Sequence, residues 1–156
     1  MQETVRAASI KDKPQILEIS KTIWEGRDYI LKTIDDWLDP KTGRVIIIEK
    51  DGEIRAFTKI TYINEDVGWL EGLRVKEKYR GNGYASWLTE LCVEQGKELG
   101  LSVLRFACHR KTKGSIRSGL KHGFTKKGEF YSPSFSFSIS RSLNPSFLLT
   151  LILYLK

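Results

Sequence analysis

The stretch RVKEKYRGNGYASWL, residues 74–88, decides how this 156-residue chain is read. Two glycines flank an asparagine, an arginine stands just before them, and an apolar run follows. Three local readings compete. Asn82-Gly83 suits a two-residue hairpin turn. The residues after it do not continue as a strand: Tyr84 to Leu99 has helical spacing, with Leu88, Leu91, Cys92 and Leu99 on one face. A dinucleotide fingerprint, G-x-G-x-x-G/A, would need glycine or alanine where Ser86 stands, and no acidic residue ends a following strand about 20 positions further on. The third reading is strand, glycine turn, long helix, strand. Glycines let main-chain amides reach a ligand without an intervening side chain. A helix start supplies unpaired N–H groups and the positive end of the dipole, so the turn reads as an anion site.

Working outward, the spacing predicts an edge strand over Thr4 to Ala8. Asp12 and Pro14 then open a helix carrying Ile16, Leu17, Ile19 and Ile23. A second helix over Asp28 to Leu38 aligns Tyr29, Ile30, Ile34, Trp37 and Leu38, and stops at Asp39-Pro40. RVIIIEK (44–50) and IRAFTKITYI (54–63) read as a hairpin about Asp51-Gly52. WLEGLRV (69–75) is a third strand, with Gly72 a bulge or kink. Gly100 ends the long helix, and LSVLRFACH (101–109) is the next strand. A short helix over 114–122 follows, then strands at Thr125–Tyr131 and Ser134–Ser140 split by Pro133. The order predicts an α/β protein with one mixed, mostly antiparallel sheet of six or seven strands and about four helices.

No apolar run reaches the roughly 18 residues of a membrane span, and the first residues lack the apolar core of a secretory signal. Cys92 and Cys108 form no paired ligand motif and read as buried free thiols. A cytoplasmic protein is expected. The net charge is +7, and no Asp or Glu occurs between Leu99 and Gly128. That window holds Arg105, Arg110, Lys111, Lys113, Arg117, Lys121, Lys126 and Lys127. They are either solvated faces or a surface for a phosphate-rich ligand or nucleic acid. Glu25, Asp28, Asp35, Asp36 and Asp39 make residues 25–39 acidic.

Arg80, Gly83 and Ala85 match R-x-x-G-x-[GA], and LKHGF (120–124) matches a small helix ending in Gly-Phe. With the order of elements around them, the chain resembles the GNAT superfamily of acetyl-CoA-dependent N-acetyltransferases over roughly residues 4–140. The resemblance implies a catalytic domain over 1–142, while the tail, 143–156, has no place in the family fold and is expected from its apolarity to pack on the domain or in a homodimer. It implies that the third and fourth core strands splay around the pantetheine arm. Acetyl-CoA, the co-substrate, is then expected at Leu73, Arg74, Val75, Arg80, Gly81, Asn82, Gly83, Tyr84, Ala85, Ser86 and Thr112. Lys78, Arg110, Lys111 or Lys113 would meet its 3′-phosphate. Backbone N–H near Leu73 would face the thioester carbonyl.

An amine acceptor arrives as ammonium and must lose a proton before it attacks. Glu71 is the carboxylate within the third strand and the expected base. Strand alternation puts Trp69, Glu71 and Leu73 on one face, and some family members carry a histidine base at the Glu71 position. The family's tyrosine general acid falls on Gly119, a departure that leaves Tyr131 as the second catalytic candidate, with Cys108 and His109 as alternatives. His122 reads as structural. The family places acceptor recognition in the first two helices. The expected activity is acetyl transfer to a primary amine, of a small molecule, amino acid or peptide, by direct attack in a ternary complex. No metal or membrane is implied, and nucleic acid is not the expected partner. The alternative is a non-catalytic module that binds CoA or nucleic acid.

Overall fold

One seven-stranded sheet organises the molecule, seen in a computed structural model that describes residues 2–109, 112–133 and 147–155. At His109, at 129–133 and at 147–155 the description is of the backbone. The strands are β1 (Thr4–Ala7), β2 (Gly43–Lys50), β3 (Glu53–Tyr62), β4 (Val67–Val75), β5 (Val103–His109), β6 (Thr125–Pro133) and β7 (Phe147–Leu155). Their order is β1-β2-β3-β4-β5-β7-β6. β4 and β5 run parallel, and the other neighbours are antiparallel. The helices are α1 (Lys13–Lys21), α2 (Ile30–Leu38), α3 (Tyr84–Glu98) and α4 (Lys113–Lys121). The apolar tail thus supplies a strand between β5 and β6, and the strand expected at Ser134–Ser140 lies outside the described residues.

The continuous apolar run of β2 is explained by burial on both sides of the sheet. Val45 and Ile47 join Ile16, Ile19, Ile30, Ile34, Trp37 and Phe57 in a core under α1 and α2. Ile46 and Ile48 point the other way, to Ala56, Ile60, Leu70, Leu88, Cys92 and Leu104 under α3. Asp12 departs from the expected helix cap: its carboxylate turns back to accept from Ser9 N at 2.7 Å and from Arg6 at 2.9 and 2.8 Å. Arg6 also reaches Glu49 at 2.6 Å, so the carboxylate ties β1 and β2 to the start of α1.

Two irregularities of β4 position everything that follows. Phe57 pairs with Arg74 and Lys59 with Glu71, so Thr58 stands opposite two residues, Gly72 and Leu73. This is a β-bulge, and Gly72 accommodates it at φ 62°. The parallel ladder with β5 runs from Val67–Val103 to Leu70–Phe106 and stops there. Beyond it β5 pairs with β7 through His109–Thr150, while β4 continues to Val75 along β3. The two central strands part where the bulge begins.

Candidate active site

The glycine turn has the form its sequence suggests. Gly81 and Gly83 adopt φ 83° and 86°, and a Cβ at either would meet nothing within 4 Å. Both conformations favour glycine, and the space beside them is open. Trp87 N donates to Gly83 O at 3.0 Å as the first bond of α3. The amides of Tyr84, Ala85 and Ser86 precede it and form the orphan donors of a helix start. Tyr84 turns its ring into the protein, where its hydroxyl donates to Glu3 and accepts from Arg55 at 2.8 Å. Asn82 Nδ2 donates to Tyr79 O at 3.2 Å and closes the turn from within. Arg80 is exposed, with Nε on Val75 O at 3.4 Å. Two glycines, an unburied arginine and free helix amides fit a phosphate group. Thr112 is exposed immediately before α4.

The bulge overturns the expected common face of Trp69, Glu71 and Leu73. One extra residue reverses the alternation, so Leu73 and Val75 pack against the α3 core. Arg74 takes the face of Glu71 instead. Arg74 Nε and NH2 donate to Asp28 Oδ2 and Oδ1 at 2.9 and 3.0 Å, a bidentate pair whose carboxylate is wholly buried. Its guanidinium lies 4.9 Å from the Trp24 ring and 5.9 Å from the Tyr29 ring. Asp28, one of the acidic residues of 25–39, is therefore not solvated. Toward the opening between β4 and β5, Leu73, Arg74 and Val75 can offer main chain.

Glu71 lies on this second face, half-buried, just past the last β4–β5 pair. Thr61 Oγ1 donates to Glu71 Oε1, and the Tyr29 hydroxyl donates to Oε2 at 3.4 Å. Burial first, then the Glu71 charge, push the Tyr29 hydroxyl above the usual phenol range, which keeps it a donor. Lys59, the cross-strand neighbour of Glu71, is 2% exposed and donates to Thr42 Oγ1 at 2.8 Å. Burial pulls its ammonium below the ordinary lysine range, with Glu71, Asp36 and Asp39 opposing. No sequence signal marked Lys59, which reads as an ordinary polar position of an alternating strand.

The other candidates separate. Lys78, a proposed 3′-phosphate contact, is held by Glu53 at 2.8 Å; Arg110 and Lys111 lie outside the described residues, as does the Tyr131 side chain. Burial drives the Cys92 thiol up to about 12, which makes it an inert core group, and also raises half-buried Cys108. Gly119 is buried in α4. His122, read as structural, places Nε2 2.9 Å from Ser86 Oγ, inside the glycine-turn motif. Among the described residues no cluster of His, Cys, Asp and Glu could hold a metal ion, and no helix is long and apolar enough to cross a membrane.

The same fold recurs among solved structures. The ribosomal-protein-S18-alanine N-acetyltransferase of Escherichia coli superimposes with a TM-score of 0.80 at 14% identity, over 99% of this chain and 93% of that one. A GNAT family acetyltransferase from Elizabethkingia anophelis with acetyl-CoA bound gives 0.74 at 14% identity, over 99% and 97%. These likenesses establish the fold. Residues 13–124 match the model of the acetyltransferase (GNAT) family, and the chain belongs to that family. Among curated proteins it is 29% identical over 116 residues to a histidine N-acetyltransferase of Xenopus tropicalis, 74% of this chain and 36% of that protein. The chain spans about a third or less of the length of the curated relatives it matches.

Proposed function

We propose that the protein is an acetyl-CoA-dependent N-acetyltransferase whose acceptor is a primary amine, with free α-amino acids, histidine foremost, as the acceptor class. One observation carries the reading: the β4–β5 ladder ends at Leu70–Phe106, beside a helix start whose glycines leave backbone amides open. The family and the histidine N-acetyltransferase relative support the choice of reaction and acceptor. Acetyl-CoA, when bound, supplies the activated acyl group. Arg80 and the main chain of Gly81, Asn82, Gly83, Tyr84, Ala85 and Ser86 hold its phosphates. The main chain of Leu73, Arg74 and Val75 lines the arm, and Thr112 closes it from the α4 side.

Glu71 takes the proton of the acceptor ammonium, directly or through water. Thr61 and Tyr29 donate to its two oxygens and fix its orientation. Arg74 is spent on Asp28, so the acceptor face keeps the negative charge of Glu71 and suits an ammonium. Tyr131 is the proposed acid that returns a proton to the departing thiol. The free thiols support a reducing, cytoplasmic setting. The strand β7, seated between β5 and β6, supports packing of the tail on its own domain.

The test is release of free thiol from acetyl-CoA across a panel of histidine, other amino acids, their amides, a polyamine and a peptide amine. Turnover with an α-amino acid is the expected result. CoA binding without thiol release on any amine would instead identify a binding module.

A further inference from the structure

We propose that the C-terminal end of α4 completes the phosphate site, with Lys121 as a direct phosphate ligand and His122 as the residue that positions Ser86. The inference rests on the reading of the Gly81–Ser86 turn as the cofactor site. Ser86 lies in the first turn of α3, yet two groups of another helix converge on its hydroxyl: His122 Nε2 at 2.9 Å and Lys121 Nζ at 3.4 Å.

The electrostatics of this junction call for an anion. Lys13, Lys76 and Lys78 are matched with carboxylates: Lys13 with Asp35, Lys76 with Glu18 and Glu53, Lys78 with Glu53. Lys121 is exposed and reaches a neutral hydroxyl, in a window from Leu99 to Gly128 that contains no Asp or Glu. A cation is favoured at the C-terminus of its own helix, α4, and disfavoured at the N-terminus of α3. Arg80 adds a second exposed positive charge ahead of the same helix start. Lys121 thus reaches the first turn of α3, where the free amides of Tyr84, Ala85 and Ser86 favour a negative charge. A diphosphate carries that charge and offers oxygens to all of these donors. Ser86, with its hydroxyl held by the His122 ring, is pre-aimed at the junction of the two helices.

Titration calorimetry of CoA and 3′-dephospho-CoA against the wild-type chain and Lys121→Ala tests this. The substitution is at an exposed position, so unliganded melting should be unchanged. The expected result is a loss of about 5–30-fold in affinity, equal for the two ligands, with a weaker salt dependence than wild type. His122→Leu should weaken both ligands about threefold or more. A loss confined to CoA would assign Lys121 to the 3′-phosphate and overturn the proposal, as would affinities within about twofold of wild type for both variants. Failure of the wild-type chain to bind either ligand would defeat the cofactor reading itself, a result distinct from equal binding by all three proteins.

Discussion

Glu71 and Gly72 are adjacent and do opposite kinds of work, one chemical and one geometric. Glu71→Gln preserves shape and leaves one of the Thr61 and Tyr29 hydroxyls donating to the amide oxygen, with the other accepting from the new NH2 group, but it removes basicity. Turnover should fall about 10²–10⁴-fold, the usual contribution of a positioned base. Affinity for acetyl-CoA should stay within about twofold, because the phosphate contacts lie on Arg80 and the α3 start. The deficit should shrink as pH rises toward the pKa of the acceptor ammonium, where more acceptor is already neutral. Steady-state rates across pH, with single-turnover data to isolate chemistry, check this; turnover within about threefold of wild type at neutral pH would remove Glu71 as the base. Gly72→Ala tests the bulge. A Cβ there would lie 1.9 Å from Trp37 Cη2, on a backbone at φ 62°. Either the indole leaves the α2 core or the bulge relaxes, at a cost of about 2–4 kcal/mol. Thermal melting should fall by roughly 5–15 °C. An unchanged melting temperature would mean that the bulge is not braced by Trp37.

The connection between α1 and α2 is held from outside. Trp24, Glu25 and Gly26 take φ of 47°, 57° and 80° in succession, a left-handed run that two non-glycine residues enter only under constraint. The constraint is Arg74, which binds buried Asp28 and stacks under Trp24. Asp28→Asn leaves that guanidinium facing a neutral amide in a largely buried site. The expected cost is about 2–4 kcal/mol, and hydrogen exchange should accelerate over residues 24–30 well before it does in α3. Equal protection in the two segments would argue that the pair is incidental. This clamp also shows where reading the chain ran out. The hairpin at Asp51-Gly52, the amphipathic stripe of α2 and the glycine turn before α3 each rest on neighbours within a few residues, and local patterns disclosed them. Asp28 and Arg74 are 46 residues apart, and their pairing needs the bulge that turns Arg74 to the α2 side. Gly72 was visible as an irregularity. Its consequence, the exchange of Leu73 for Arg74 beside Glu71, follows only from the register with β3. Ser86 and His122 met for a similar reason: two helices 36 positions apart in sequence bring them together.

At the scale of the whole molecule, one sheet separates two cores, and charged clasps close its margins. Arg6 beside Asp12 holds that carboxyl down at about 2, and Lys78, with Tyr79 and Lys76, does the same for Glu53. Both carboxyls are lowered from their ordinary values, so the stability they add is complete above the unfolded pKa of about 4 and is lost as pH falls toward about 2. Melting temperature should drop across that window, and Asp12→Asn should flatten part of the drop while lowering stability by about 1–2 kcal/mol at pH 7. A wild-type curve level from pH 5 to pH 2 would contradict the clasp at Asp12.

A ligand seated at the opening between β4 and β5 should report on the entire fold. A ligand that binds only the folded chain stabilises it by about 2.7 kcal/mol at a hundredfold excess over its dissociation constant. For a chain of this size that is a rise of roughly 5–10 °C in melting temperature with CoA. Position 83 isolates the electrostatic part of the effect. Its φ of 86° is one that Asn and Asp tolerate better than other side chains, and no atom lies within 4 Å of a Cβ placed there. Gly83→Asn and Gly83→Asp should therefore weaken the unliganded fold by similar small amounts. With CoA present, Gly83→Asn should keep most of the rise. Gly83→Asp, which puts a carboxylate beside the helix amides that phosphate would occupy, should lose nearly all of it. Equal rises in the two variants would show that the phosphates do not approach the start of α3, and the ligand would have to be sought at another part of the sheet.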